Sequence, residues 1–465
     1  NQQSTINKQT TIMDQTIKAP SEQELFGHPK GLYVLFFTEM WERFSYYGMR
    51  ALFTLFLVAE TTSSNAGFGW TNEEALALYG WYTMLVYMSS IPGGWLADRV
   101  LGQKKTVMLG GALLCIGHSV LALNSEITFY IGCLFIILGV GGLKPNISSM
   151  VGGLYKPKDE RRDLGFYIFY MGINIGGFLA PILCGYVGEQ ISWHYGFGLA
   201  AIGMFLGQIV YIWGQKYLTN VGNLITKENA ADRELLEKPL STIEKDRVKV
   251  LLISFLLIIL LWAAFEQAGG LMNLYASQKT DRNFFGLFEI PASVFQSVNS
   301  FFIITLATAV GAFWLRWRKK GKEASSIFKI AVGLIIMALG FGFMTAASAQ
   351  FEANGSSAMY WLILAYLFHT VGELCASPVS LSFITKLAPL KYASIIMGLY
   401  WAATGLGNKV AGLIGEYSQS LGEFETFLSV TIVWSLIGAL VIVLLKPLKR
   451  LTHGAEDGEM KMEAA

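Results

Sequence analysis

Charge is the scarce ingredient of this chain. Of 465 residues only 15% are Asp, Glu, Lys or Arg, against about 25% in ordinary soluble domains. Hydrophobic residues make up 53% and aromatic ones 14%, and the mean hydropathy is +0.46. That composition excludes a soluble globular fold and reads as an all-α integral membrane protein. A net charge of +2, with basic residues lying between apolar runs and forming no patch, excludes a nucleic-acid binder. Cysteine is also scarce. Cys115, Cys133, Cys184 and Cys375 fall inside apolar runs without CxxC spacing and read as small packing residues. There is no HExxH, no metal-spaced His/Cys group and no Ser/His pairing, so neither a metal, a cofactor nor an enzymatic cluster is expected. The first thirty residues are polar and lack an apolar h-region. The expectation is therefore no cleavable signal peptide, with the first spanning helix serving for targeting.

What is present is apolar sequence in runs of about 20 residues, the length that crosses a bilayer. Twelve can be laid out: 31–59, 75–97, 105–123, 127–151, 164–187, 195–215, 248–273, 290–315, 325–347, 357–385, 392–416 and 423–446. Lys and Arg fall in alternate loops: Arg99, Lys104 and Lys105; Lys156, Lys158, Arg161 and Arg162; the 216–249 segment; Arg316, Arg318, Lys319, Lys320 and Lys322; Lys386 and Lys391. The intervening loops hold only Lys279 and Arg282. Basic loops stay on the cytoplasmic side, so both termini are expected there. The division is a 1–30 cytoplasmic segment, a 31–215 bundle of six helices, a 216–247 linker, a second six-helix bundle over 248–446 and a 447–465 tail. A short amphipathic helix is expected around Asp232 to Lys245. Six helices plus six is the layout of the major facilitator fold.

The ions inside the runs are the chemistry. In the first run Glu39, Glu42, Arg43, Tyr46, Tyr47 and Arg50 fall at i, i+3, i+4, i+7, i+8 and i+11, one helical stripe. A charge at the bilayer centre costs about 2.5 to 3.5 kcal/mol even on lenient scales, so these need partners and a cavity to face. The simpler reading is a salt-bridge ladder from Glu39 to Arg43, which leaves the Tyr pair and Arg50 unexplained. Deep in later runs lie Lys144, Glu266, Glu373 and Lys409. They are expected to converge on one wet cavity, with Arg50 and Lys144 on one bundle and Glu266 and Glu373 on the other, an arrangement suited to a zwitterion.

Two kinds of motif carry a resemblance. Gly94-Trp95-Leu96-Ala97-Asp98-Arg99-Val100-Leu101-Gly102-Gln103-Lys104-Lys105 resembles the major facilitator loop signature. There Gly94 would permit close helix approach, and Asp98 with Arg99 would latch the cytoplasmic gate; positive-inside topology alone explains only the basic residues. Glu39-x-x-Glu42-Arg43-Phe44-x-Tyr46-Tyr47-Gly48 and Phe169-Tyr170-Met171-Gly172-Ile173-Asn174-Ile175-Gly176 are similar to the two signatures of the proton-dependent oligopeptide transporter family. Further matches are Gly142 to Asn146, Phe265-Glu266-Gln267, Pro291 to Asn299 and Gly372 to Pro378.

The resemblance implies a proton-coupled symporter of di- and tripeptides working by alternating access, multi-pass in a bacterial inner membrane, with peptides, protons and the lipid bilayer as partners and no cofactor. It implies that Arg50 and Lys144 hold the substrate carboxylate, and that Glu373 with Asn174 and Asn299 holds the amine. Tyr46, Tyr47, Tyr87 (with Tyr82 as competitor), Trp262 and Tyr400 would line the pocket. Glu39, Glu42, Arg43 and Glu266 would couple protons, Glu266 pairing with Arg50 or Lys144. Tyr400 stands where similar proteins place a second pocket Trp, Ser300 where they usually place Pro, and no extra helix pair is found in 215–250.

His118, His194 and His369 match no motif and are left out of the site, and Pro145, Pro181 and Pro378 mark either bends or close packing. Competing readings are a relative carrying nitrate or a modified amino acid, a membrane-embedded enzyme, or a channel. Glu373 would repel a simple anion, and charges of both signs over two bundles do not make a pore ring.

Overall fold

The computed structural model describes residues 24–155, 159, 161–219, 221–224, 240–389 and 393–455. Lys156, Lys158, Lys391 and the 232–239 part of the expected amphipathic helix lie outside them. Along the chain run α1 (Lys30–Val58), α2 (Asn72–Met88), α3 (Ser90–Leu96), α4 (Gln103–Leu121), α5 (Glu126–Gly153), α6 (Arg161–Gln190), α7 (Trp193–Gly214), α8 (Thr242–Phe265), α9 (Leu271–Gln278), α10 (Ser297–Lys319), α11 (Ser326–Asn354), α12 (Met359–Leu387), α13 (Ala393–Leu421), α14 (Glu423–Val443) and α15 (Leu445–Leu451). The described strands are two-residue pairs, such as Thr280–Asp281 beside Ser357–Ala358. Helix occupies each apolar run. Two runs are interrupted: the second at Ser89, followed by a π-helical turn at Ala97–Leu101, and the seventh at Glu266–Ala268, a 3-10 turn.

Among the described residues eight helical segments are long and apolar enough to cross a membrane. α1 is not one of them, since Glu39, Glu42, Arg43 and Arg50 crowd it with charge. Burial is inverted relative to a water-soluble protein. Trp213, Ile127, Leu436 and Val443 are exposed on the outer surface, whereas Glu39, Glu42, Arg43, Arg50, Glu266 and Glu373 are buried. Hydrocarbon is the solvent that rewards this pattern, because helices satisfy their own backbone and need only apolar side chains outward. Pro145, Pro181 and Pro378 all lie within continuous helices.

α1 packs on α6 and α7, α4 on α5, and α11 on α12 and α14, while α2 meets α13 and α6 meets α10. The last two contacts join the first half of the chain to the second. Small residues make the α2–α13 crossing close: a Cβ on Gly80 would sit 2.9 Å from the Gly412 Cα. The joining contacts gather at the end holding the 59–71 and 279–291 loops. There Asn72 donates to Gln278 at 3.1 Å and to Gln419 at 3.2 Å, and Asn273 donates to the Ala51 carbonyl at 3.0 Å. Toward the end holding the basic loops α3 still touches α13, while a cavity separates other helices of the two halves.

Candidate functional site

The stripe on α1 is buried and paired. Arg43 Nη2 donates to Glu42 Oε1 at 2.6 Å and its Nε to Glu42 Oε2, while Nε lies 3.5 Å from Glu39 Oε1. The tight partner is thus the adjacent Glu42, and the i, i+4 contact of a simple ladder is the looser one. The guanidinium also lies over the Tyr46 and Tyr47 rings, at 5.0 and 5.8 Å. Glu39 Oε2 is buried without a hydrogen-bond partner among the described residues. It borders a cavity.

That cavity holds about 800 Å³ and lies between the two halves of the chain. Its lining runs from Glu39, Arg43, Tyr47 and Glu373 at mid-helix to Arg318 and Lys329 beside the 320–325 loop, so it opens toward the basic end. On the wall from the first half, Lys144 Nζ rests 4.0 Å over the Tyr87 ring and 5.6 Å over Trp401. No carboxylate among the described residues pairs with it. The ammonium is held by aromatic faces and open on the cavity side. On the other wall Asn299 Nδ2 donates to Glu373 Oε2 at 3.0 Å and to Thr370 Oγ1 at 2.9 Å, fixing the carboxylate. Asn174, Trp262 and Tyr400 also line the cavity, and Asn174 Nδ2 donates to its own helix at the Tyr170 carbonyl, 2.9 Å. The arrangement can bind a small solute that is anionic at one end and cationic at the other.

Arg50 and Glu266 do not line this cavity. They lie above its closed end, Arg50 Nε 3.2 Å from Glu266 Oε1. Tyr79 joins them: Arg50 Nε donates to its hydroxyl at 3.0 Å, and the hydroxyl donates to Glu266 Oε1. Thr54 Oγ1 donates to the Gly269 carbonyl at 3.1 Å just beyond. The cross-half Arg50–Glu266 pair expected from the sequence is therefore present, but Arg50 and Lys144 are not side by side. Tyr79 carried no motif and was missed.

Several expectations need correction. The close helix approach belongs to Gly93, which faces the Gly141 carbonyl of α5, whereas a Cβ at Gly94 would meet nothing within 4 Å. Asp98 and Arg99, expected at the gate, are exposed at the basic end. Lys409 does not join the cavity; it pairs with Glu416 at 3.0 Å on its own helix and lies over Trp81. Tyr46 is buried beneath Arg43 and is not part of the lining. Between the two candidates on α2, Tyr87 lines the cavity, while Tyr82 stacks on Phe53 in the core at 5.0 Å. Beside Tyr400, Trp401 supplies the ring that stacks on Tyr87, 6.1 Å between centroids. Its place could have been read from the Tyr400 substitution, because the adjacent indole offers the missing bulk. His118, His194 and His369 stay outside the lining.

The POT family profile matches residues 104–231 and 236–422. The peptide transporter YePEPT of Yersinia enterocolitica is 35% identical, over 96% of this chain and 99% of its own length. A di-/tripeptide transporter of Lactococcus lactis is 33% identical, over 93% of this chain and 98% of its own. The Yersinia alignment runs over 510 positions, more than the 465 residues here, so that relative holds residues without a counterpart in this chain. Among solved structures, a mutant peptide transporter POT in complex with alafosfalin superposes with a TM-score of 0.85 at 34% identity, covering 92% of this chain and 97% of the other. The match to the profile over most of the chain, and these full-length similarities, establish that the chain belongs to the POT family.

Proposed function

We propose that this protein imports di- and tripeptides in symport with protons, by alternating access between two six-helix bundles, 31–215 and 248–446, with twelve spans and both termini in the cytoplasm. The basic end then faces the cytoplasm, and the structure is the state open inward. The observation that carries the reading is the cavity: a free ammonium, Lys144, on one wall and an oriented carboxylate, Glu373, on the other. A peptide bridges the two bundles with its carboxylate on Lys144 and its amine on Glu373 and Asn299, while Tyr47, Tyr87, Trp262, Tyr400 and Trp401 take its side chains. Asn174 adds an amide on the first bundle's wall.

Proton coupling is assigned to two clusters, Glu39–Glu42–Arg43 at the cavity and Arg50–Tyr79–Glu266 above it. A proton on Glu266 removes the anion that holds Arg50, which frees the guanidinium for a substrate carboxylate and loosens the outer closure. Proton and peptide then favour the same transition, which is what coupling requires. The membrane potential adds about 2.3 kcal/mol per charge per 100 mV. Gly93, Asp98 and Arg99 belong to the cytoplasmic gate, Asp98 acting when the inner mouth closes. No cofactor is invoked.

The test is uptake into liposomes containing the purified protein. An acid-outside gradient should drive accumulation of a dipeptide, and Lys144→Ala should abolish it. Accumulation of nitrate in place of peptide would refute the reading.

A further inference from the structure

α6 and α10 meet along a seam that climbs from the cavity to the closed end. Gly177 leaves a notch for Ser300 Oγ, Ser297 Oγ donates to the Phe178 carbonyl at 2.8 Å, and Gly185 leaves room for Ser293 Oγ. One turn beyond Gly185, on the same face of α6, Glu189 closes the seam. Its Oε2 accepts from the Ala292 N–H at 2.9 Å, and its Oε1 accepts from the Ser293 N–H at 2.8 Å and from Ser293 Oγ. The side chain is 11% exposed. Pro291 has no N–H to offer, so a carboxylate from one bundle caps the first turn leading into α10 of the other.

We propose that Glu189 is a proton-operated lock on the outer gate. Ionised, it is an acceptor only and takes three donors across the seam. Protonated, it must place a hydrogen of its own among those donors, and the seam loses its charge-assisted bonds. The proton comes from the outer solution and returns there when the gate closes again, so it sets the share of carriers facing outward and is not cargo. The charged group facing Glu189 is Arg282, Nη1 3.9 Å from Oε2 and itself paired with Glu289 at 2.6 Å. From the α1–α2 connection comes only Asn65, whose amide donates to the Gly188 carbonyl at 2.8 Å. The turn into α10 presents Ala292 and Ser293, neither titratable.

The side from which the proton arrives rests on the orientation proposed above; the lock itself does not. Spin labels at Thr62 and Phe285, exposed on the two halves of the outer rim, report gate opening by pulsed EPR in lipid nanodiscs without any substrate. Failure of peptide transport therefore leaves this reading standing. Lowering the pH from about 6.5 to about 3.5, across the ordinary carboxylate range, should raise the long-distance population. Glu189→Gln should raise the open-to-closed ratio at the upper pH about tenfold and flatten the pH step, because charge-assisted bonds are lost. Ser293→Ala, which removes one donor and keeps the carboxylate, should raise the ratio less and retain the step. Glu266→Gln in parallel separates the contribution of the Arg50 pair. A Glu189→Gln protein with the unsubstituted distances and pH step overturns the proposal, as does an unchanged ratio in Ser293→Ala should the first variant fail to fold.

Discussion

Tyr79→Phe isolates the one member of the closing cluster that carries no charge. The substitution keeps the ring, and with it the edge contact to Phe53 at 5.7 Å, but deletes a hydroxyl that accepts from Arg50 Nε at 3.0 Å and donates to Glu266 Oε1. Both partners are charged, and hydrogen bonds to charged groups contribute about 1.5 to 3 kcal/mol each. Arg50 and Glu266 keep their direct 3.2 Å contact, so the loss falls nearer to one such bond than to two. A loss of about 1.5 to 3 kcal/mol lowers the ratio of outer-closed to outer-open carriers by roughly 10- to 150-fold. The reading is the same pair of spin labels on the outer rim, together with proton-driven dipeptide uptake, which should fall because the carrier lingers facing outward. Peptide counterflow, which needs no proton gradient, should be affected less. Unchanged distances and unchanged uptake would mean that the hydroxyl is a bystander and that the cluster does not hold the gate.

Gly269→Ala should act on the same cluster from the other side: its Cβ would clash with the Tyr79 hydroxyl and lie 2.6 Å from Arg50 Nε, and overpacking of this kind costs about 1 to 3 kcal/mol, a cost that falls on the closed arrangement, so uptake should drop strongly while membrane insertion is kept. Glu373→Gln should weaken dipeptide binding about tenfold to a hundredfold, the cost of losing one charged partner, yet leave an N-blocked dipeptide unaffected; calorimetry on both ligands separates the effects, and equal losses would remove the amine role. At the end holding the basic loops, burial pushes the Glu323 carboxyl up, but hydrogen bonds from Lys449 and Ser325 outweigh it and hold it below 4.5. The Lys449–Glu323 tether of α15 should therefore be intact above about pH 4.5 and released as pH falls through the lowered value, and Glu323→Gln should release it at neutral pH, seen as faster proteolysis of the tail.

The sequence made the helices legible because hydrocarbon demands them. Each apolar run became helix, and the charges inside the runs could only point inward. It was less informative about height along the helix. Arg50 shares the angular stripe of Glu39 and Arg43, yet eleven residues at 1.5 Å place it about 16 Å further along α1, above the closed end of the cavity and beside Glu266. Spacing gives the face, and the position of the gate decides which residues on that face see the cavity. Trp401 shows the complementary error: one residue's step, about 100° of rotation, exchanged the expected indole for its neighbour. Lys409 misled because its partner Glu416 lies two turns away on the same helix, a local solution that a list of intramembrane charges does not reveal. Tyr79 left no trace in charge or motif, since a hydroxyl on a buried aromatic looks like any other core ring until its partners arrive from α1 and from the turn after α8.

The closure is fastened by carboxylates, a guanidinium, serines and amides set in glycine notches, alongside apolar contacts such as Leu76 on Gly270 and Gly415. When such a joint separates, water takes over the duties of the departing donors and acceptors, so the polar part of the contact is lost at small cost. Switching between the proposed states then depends in part on ionic contacts, adjustable by acidity and by voltage.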